Sequence, residues 1–298
     1  MMPVEILNAP VELTERWATP CFDKLSKLDW PAACCVSSFG ANIGLRASDN
    51  DLLRSMIDRL PPYVRLVDRD KCDTVISMIR GGREPGSRTR KFHLVYSNHS
   101  LIGRSHRIEE ILNLFDFQLN IIIAAMSPSR VFVHAGAVAW RGRAIVVPGP
   151  SMSGKSSLIK ELVDAGAKYL SDEYAIIDQD GRVEPLEKPI SLRENGSRHQ
   201  TDVPLSSMRE KVAKQPYPVG LVVGTRYRET AKWKPKKLTP GQGLLLMLSN
   251  TPAGRINPLR VLSSLRNVAG QASSISSNRG DAKTTATSIL QLVDEMAV

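Results

Sequence analysis

Aromatic residues make up only 5% of this 298-residue chain, and no cysteine occurs beyond Cys72. The four cysteines (Cys21, Cys34, Cys35, Cys72) show no CxxC spacing, so neither a zinc ribbon nor a dithiol redox centre is expected. Reduced, mostly buried thiols in a reducing, cytoplasmic compartment are the simplest reading. Long apolar runs are missing too: "IIIAAM" at 121–126 is far too short to span a bilayer. No N-terminal segment joins a basic region to a long apolar stretch, so no signal peptide and no membrane partner are expected. Internal repeats are absent, and so is any LSGGQ-type segment, which sets transporter ATPases aside. What remains is ordinary for a folded protein, with 42% hydrophobic and 23% charged residues. The length suffices for one large domain or two modest ones.

Negative charge is scarce in the last third. From Lys188 to Val298 there are 17 Lys/Arg against seven Asp/Glu, which accounts for the whole net charge of +10. The densest part is "RYRETAKWKPKK", 226–237. Such a run reads either as a solvated loop or hairpin edge, or as a surface that steers an acidic partner. No RNA- or DNA-binding motif accompanies it, so nucleic acid is not an expected partner.

Residues 1–110 mix short apolar runs with turn signals ("LDWPAACCVSSFGANIGLRAS", "RLPPYVRLVD", "DTVISMI", "FHLVYS") and read as a small, strand-rich α+β portion. "RGGREPGSRTR" at 80–90 reads as an exposed loop. In "RIEEILNLFDFQLNIIIAAMS", 107–127, apolar residues recur at helical spacing, predicting a buried helix that bridges this portion and a second domain, 111–298. There "RVFVHAGAVAWRGRAIVVPG" predicts two strands split by "RGR". Ser157 to Asp164 reads as an amphipathic helix stopped by Gly166, "AKYLSDEYAIID" as the next strand, and "DQDGRVEP" as a hairpin turning on Asp180-Gly181. "PVGLVVGTRY" predicts a further strand, and "PGQGLLLMLSN" and "AKTTATSILQLVDEMA" two helices. Strand, glycine loop, helix and strand in this order predict an α/β core.

That loop, "GPSMSGKS", satisfies GxxxxGK[ST] from Gly149 to Ser156. Its glycines let consecutive backbone N–H groups face phosphate oxygens, and the following helix adds its positive N-terminal end. Gly149, Pro150, Ser151, Met152, Ser153, Gly154, Lys155, Ser156 and Ser157 are thus the candidate nucleotide-binding set. Lys155 would bridge the outer phosphates, and the Ser156 hydroxyl would ligate Mg²⁺. An apolar strand before the loop and an amphipathic helix after it supply the context this motif needs.

Asp172 and Glu173 follow 17 and 18 residues after Lys155, at the carboxyl end of the next strand. In a parallel sheet that position brings an acid to the metal and the outermost phosphate. One carboxylate can hold Mg²⁺, and a second near it can accept a proton from an attacking hydroxyl. His134 lies 15 residues before Gly149 in a small-residue strand. It is either a hydrogen-bonded core residue or part of the site.

Together, "HAGAV", "GPSMSGKSSL", "AGAKYLSDEYAIID" and "PISLR" resemble the catalytic domain of the HPr serine kinase/phosphorylase family, clearly over about residues 115–200 and loosely beyond. The resemblance implies a P-loop core of the HPr kinase and phosphoenolpyruvate carboxykinase type. It implies His134 beside the reaction centre, Asp172 as the general base for an accepting serine, and Glu173 where the family usually has a second aspartate. "PISLREN" is similar to the family's LE-x-RGLG segment: Arg193 keeps the arginine, Ser191 replaces the glutamate, and the Gly-Leu-Gly is absent. That segment serves dephosphorylation, so its loss argues against a phosphorylase and against HPr as the substrate. Stand-alone relatives imply a peptide acceptor; Arg193, counted with the nucleotide-binding residues, and the basic run 226–237 would position an acidic acceptor or the nucleotide phosphates, and the family's habit of assembling implies a homo-oligomer. The expectation is an ATP- and Mg²⁺-dependent kinase acting on a hydroxyl, with Asp172, His134, Lys155 and Glu173 catalytic and Ser156, Asp172 and Glu173 at the metal. A small-molecule kinase and a non-catalytic nucleotide-binding regulator are the alternatives.

Overall fold

The computed structural model of the chain describes residues 12–13, 25, 28–69, 71–83, 86, 89–186, 188–193, 200–203 and 208–296. It divides into two compact units, Met1–Pro128 and Ser129–Val298.

In the first unit, strands β1 (Ala32–Ser38), β2 (Ala41–Ala47), β3 (Arg65–Val67), β4 (Thr74–Ile79), β5 (His93–Ser97) and β6 (Ser100–Ser105) form one sheet in the order β6-β5-β4-β2-β1-β3. Helix α1 (Asn50–Asp58) starts where the Asp49 carboxylate accepts the Leu52 N–H. Helix α2 (Ile108–Met126) buries Ile111, Leu112, Phe115, Leu119 and Ile122, the stripe its periodicity predicts. It packs on β5 and β6, where a Cβ on Gly103 would come within 2.4 Å of Leu114. The guanidinium of Arg59 donates to both Asp116 oxygens and ties α1 to α2. These contacts make α2 part of the first unit. The division between the two units falls after Pro128, where the sequence reading expects it after residue 110. Cys34, Cys35 and Cys72 are buried free thiols, with the Cys35 and Cys72 sulfurs hydrogen-bonded at 2.7 Å; Cys21 lies outside the described residues. Burial pushes the Cys34 thiol up to about 12.

The second unit is α/β. Strand β7 (Val131–Trp140) turns through Arg141 and Gly142, both at positive φ, into β8 (Arg143–Pro148), pairing Trp140 with Arg143. Helix α3 (Lys155–Asp164) follows the glycine loop. Next come β9 (Lys168–Ser171), β10 (Tyr174–Ile177), β11 (Arg182–Glu184), β12 (Ile190–Arg193), β13 (Gln200–Val203) and β14 (Tyr217–Tyr227). The chain closes with β15 (Lys236–Lys237), α4 (Pro240–Leu248), α5 (Pro258–Gln271), β16 (Ser273–Arg279) and α6 (Ala282–Met296). The main sheet runs β8-β7-β10-β11-β14-β16-β15, with β9 also on β7. Because β8 pairs with β14 as well, the ladders β7–β10–β11–β14–β8–β7 close on themselves.

Both faces of β8 are buried, as expected for a strand covered by helices on each side. Ala144 and Val146 join the core under α4 and α5, while Ile145 and Val147 join the core under α3 and α6. Gly136 of β7 has no side chain because α3 sits directly on it: a Cβ there would lie 2.3 Å from Ile159 Cγ1. The expected strand "AKYLSDEYAIID" is two strands, β9 and β10, both antiparallel to β7. The acids at 172–173 thus occupy a break between strands. They do not end a strand laid parallel beside β8, because β7 intervenes.

Candidate functional site

The glycine loop leaves β8 at Pro148 and enters α3 through Gly154. Gly154 caps the helix at φ 87, and a Cβ there would meet Arg279 Nη2 at 2.4 Å. Met152 is also left-handed (φ 66), and its side chain is 85% exposed, which leaves the loop's inner surface to main chain and small groups. A Cβ on Gly149 would lie 3.0 Å from Ser153 Oγ, a buried hydroxyl with no protein partner among the described residues. Ser151 and Ser157 are exposed, and Ser156 is half-buried on the first turn of α3.

Lys155 is buried. Its Nζ donates to the carbonyls of Gly149 and Pro150 at 2.7 and 2.8 Å, so the ammonium lies across the loop that contains it. Burial lowers its pKa to about 8, against the opposing pull of the Asp172 carboxylate. Asp172 is nearly as buried and also faces the Tyr169 phenol, whose ionisation burial and the nearby acid both oppose.

Strand β7 carries His134 to the same place. Its imidazole is pushed down to about 4, first by burial and then by the Lys155 charge, with a hydrogen bond to the Gly149 main chain as a partial offset. A neutral ring results at physiological pH. The β7 backbone also fixes the surroundings. His134 N–H donates to Asn250 O, Ala135 N–H to Glu173 O, and Gly149 N–H to His134 O.

His134, Gly149, Lys155 and Asp172 are therefore brought together, although Asp172 arrives from a break between antiparallel strands and not from the end of a parallel one. Glu173 is directed elsewhere: its carboxylate pairs with Lys188. Arg193 ends β12, and its side chain lies outside the described residues. No group of three or more His, Cys, Asp or Glu side chains suited to a metal occurs among the described residues. Ser156, on the first turn of α3, and Asp172, beside Lys155, are the oxygen donors that could hold a cation arriving with phosphate oxygens.

Sequence reasoning missed two residues. Arg279 at the end of β16 is 2% exposed; its Nη2 donates to Gly154 O at 2.5 Å and its Nη1 to Gly280 O at 3.1 Å. The surrounding "SSISSNR" holds one apolar residue, so neither β16 nor its terminal arginine carries a periodic signal. Lys188 lies 15 residues from Glu173 and belongs to no motif.

Beside Gly149 and Pro150 opens a cleft of about 710 Å³, walled by the carboxyl ends of β14 and β16, the end of α4, and residues 231–236. Arg226, Lys232, Lys234 and Lys236 line it.

No protein-family model matches the chain, and no curated protein matches it. Among solved structures, the HPr(Ser) kinase/phosphatase from Coxiella burnetii is similar at 14% identity and a TM-score of 0.35, covering 56% of this chain and 99% of that one. No helix among the described residues is long and apolar enough to cross a membrane.

Proposed function

We propose that the second unit is an ATP-dependent phosphotransferase that acts on a hydroxyl, with a serine of a protein or peptide as the acceptor. The observation that carries this reading is the buried Lys155 ammonium, held against the Gly149 and Pro150 carbonyls with the Asp172 charge and the His134 ring around it. A buried cation at a helix start, wrapped by a loop with no room for side chains at its glycines, is suited to a chain of phosphates.

The roles follow from position. Loop N–H groups and the first turn of α3 orient the β- and γ-phosphates, and Lys155 balances charge that builds during transfer. Asp172 accepts the proton of the acceptor hydroxyl as its oxygen bonds to the γ-phosphorus. The bond from γ-phosphorus to the bridging oxygen breaks, and its electron pair leaves with the nucleoside diphosphate. Neutral His134, bonded to Gly149, keeps the loop in register without adding a second cation beside Lys155. Ser156 and Asp172 would hold Mg²⁺, which when bound screens the phosphate charges. Glu173, committed to Lys188, supports the position of Asp172 and is not assigned to the metal.

The test is a pair of variants assayed for MgATP binding and for transfer of labelled phosphate to serine peptides. Lys155→Ala is expected to abolish binding. Asp172→Asn is expected to bind MgATP and lose transfer by about 10²-fold or more. Unchanged turnover in Asp172→Asn would overturn the mechanism.

A further inference from the structure

We infer that the cleft beside Gly149 and Pro150 is the acceptor subsite, and that it takes an extended acidic peptide, with the accepting hydroxyl at the loop and carboxylates beyond it. This inference rests on the phosphotransferase reading.

Four observations converge. The cleft starts at the loop residues Gly149 and Pro150, so a group seated there abuts the proposed phosphates. Its lining holds four cations, Arg226, Lys232, Lys234 and Lys236, and no carboxylate. All four are exposed, and none has an ion-pair partner among the described residues, so no internal acid competes with a ligand. Finally, the lysines are tied to β16 at two points. Lys234 N–H donates to Ser277 Oγ, Lys236 pairs with Ser276 on β16, and Trp233 turns the other way into the core shared with α3 and α6. Lys232, Lys234 and Lys236 all line the cleft, and Trp233 between the first two does not. A compact metabolite with one anionic group would engage one or two of these four cations, whereas a peptide with acids along its length engages all of them. The run that reads as a solvated edge in the sequence is an edge facing the cleft.

The experiment uses the full chain and two fluorescein-labelled decapeptides, each with one central serine, flanked by glutamates in one and by glutamines in the other. Binding is read by anisotropy and transfer by label from γ-labelled ATP. The acidic peptide should bind about tenfold or more tightly than the glutamine peptide, with the margin shrinking as salt rises. In Lys232→Gln/Lys234→Gln/Lys236→Gln that preference should collapse, with the peptide KM rising and the MgATP KM not. Equal labelling of both peptides would overturn the inference and leave the kinase reading standing. Lysine-dependent binding of the acidic peptide without transfer would uphold the subsite and sink the kinase reading. A triple variant that weakens MgATP and not peptide would make the cleft a nucleotide subsite and overturn the inference. Preferential binding of a single-stranded oligonucleotide over the acidic peptide would overturn it as well.

Discussion

Replacing Gly154 by alanine tests how the loop is held, because two separable costs meet at that atom. The first is local: an alanine at φ 87 pays about 1–2 kcal/mol for the left-handed backbone. The second is the neighbour. The new methyl would sit 2.4 Å from Arg279 Nη2, and that nitrogen is anchored 2.5 Å from Gly154 O. Moving it forfeits a buried charged hydrogen bond, about 1.5–3 kcal/mol. The single variant should therefore lose about 2.5–5 kcal/mol in all. In an Arg279→Ala background the guanidinium is already gone, and the same glycine change should cost only the backbone part, about 1–2 kcal/mol. The double-mutant cycle should accordingly close short of additivity by about 1.5–3 kcal/mol. Hydrogen exchange of α3 and β16 amides across a urea series reads the second unit alone and supplies all four corners. Additivity within about 0.5 kcal/mol would refute the clamp.

Two further outcomes concern protons. His134 resists protonation down to about pH 4 when folded, whereas the unfolded chain takes up that proton near the ordinary histidine value, so stability held above about pH 6.5 is lost as pH falls toward 4. His134→Gln should flatten the pH dependence of urea midpoints in that window by about one proton, and identical slopes would contradict the burial assigned to the ring. Lys155, with its ammonium at about 8, should take up a proton when MgATP binds, because phosphate charge restores its basicity. Calorimetry in buffers of different ionisation heat should show uptake growing between pH 7 and 8.5, and uptake independent of pH would exclude contact between this amine and the phosphates.

Much of the second unit is legible in sequence because its elements are strongly patterned. The β7–β8 hairpin has its Arg-Gly turn, α3 its apolar face, and the Gly149–Ser156 loop its fixed spacing. Local patterns say little about pairing. The break at Asp172 and Glu173 interrupts an apolar run without proline or glycine, and the insertion of antiparallel β7 between β8 and β9 depends on contacts distant in sequence. β16 escaped for a chemical reason: serines fill a strand position that neighbours bury. In the first unit, α2 read correctly as a helix, but its allegiance did not, since an apolar stripe does not name the sheet it covers. The basic run at 226–237 gave its charge away and hid its direction, which the inward turn of Trp233 sets.

Two consecutive residues of β7 donate to the carbonyl oxygens of Asn250 and Glu173, and the first loop glycine, Gly149, donates to the carbonyl of His134 itself. Every amino acid possesses that oxygen. The placement of three distant segments is thereby written in main chain, and these three links survive a change of side chain at 173 or 250. An aspartate at 173 would keep its main-chain link to β7 and lose only reach toward Lys188.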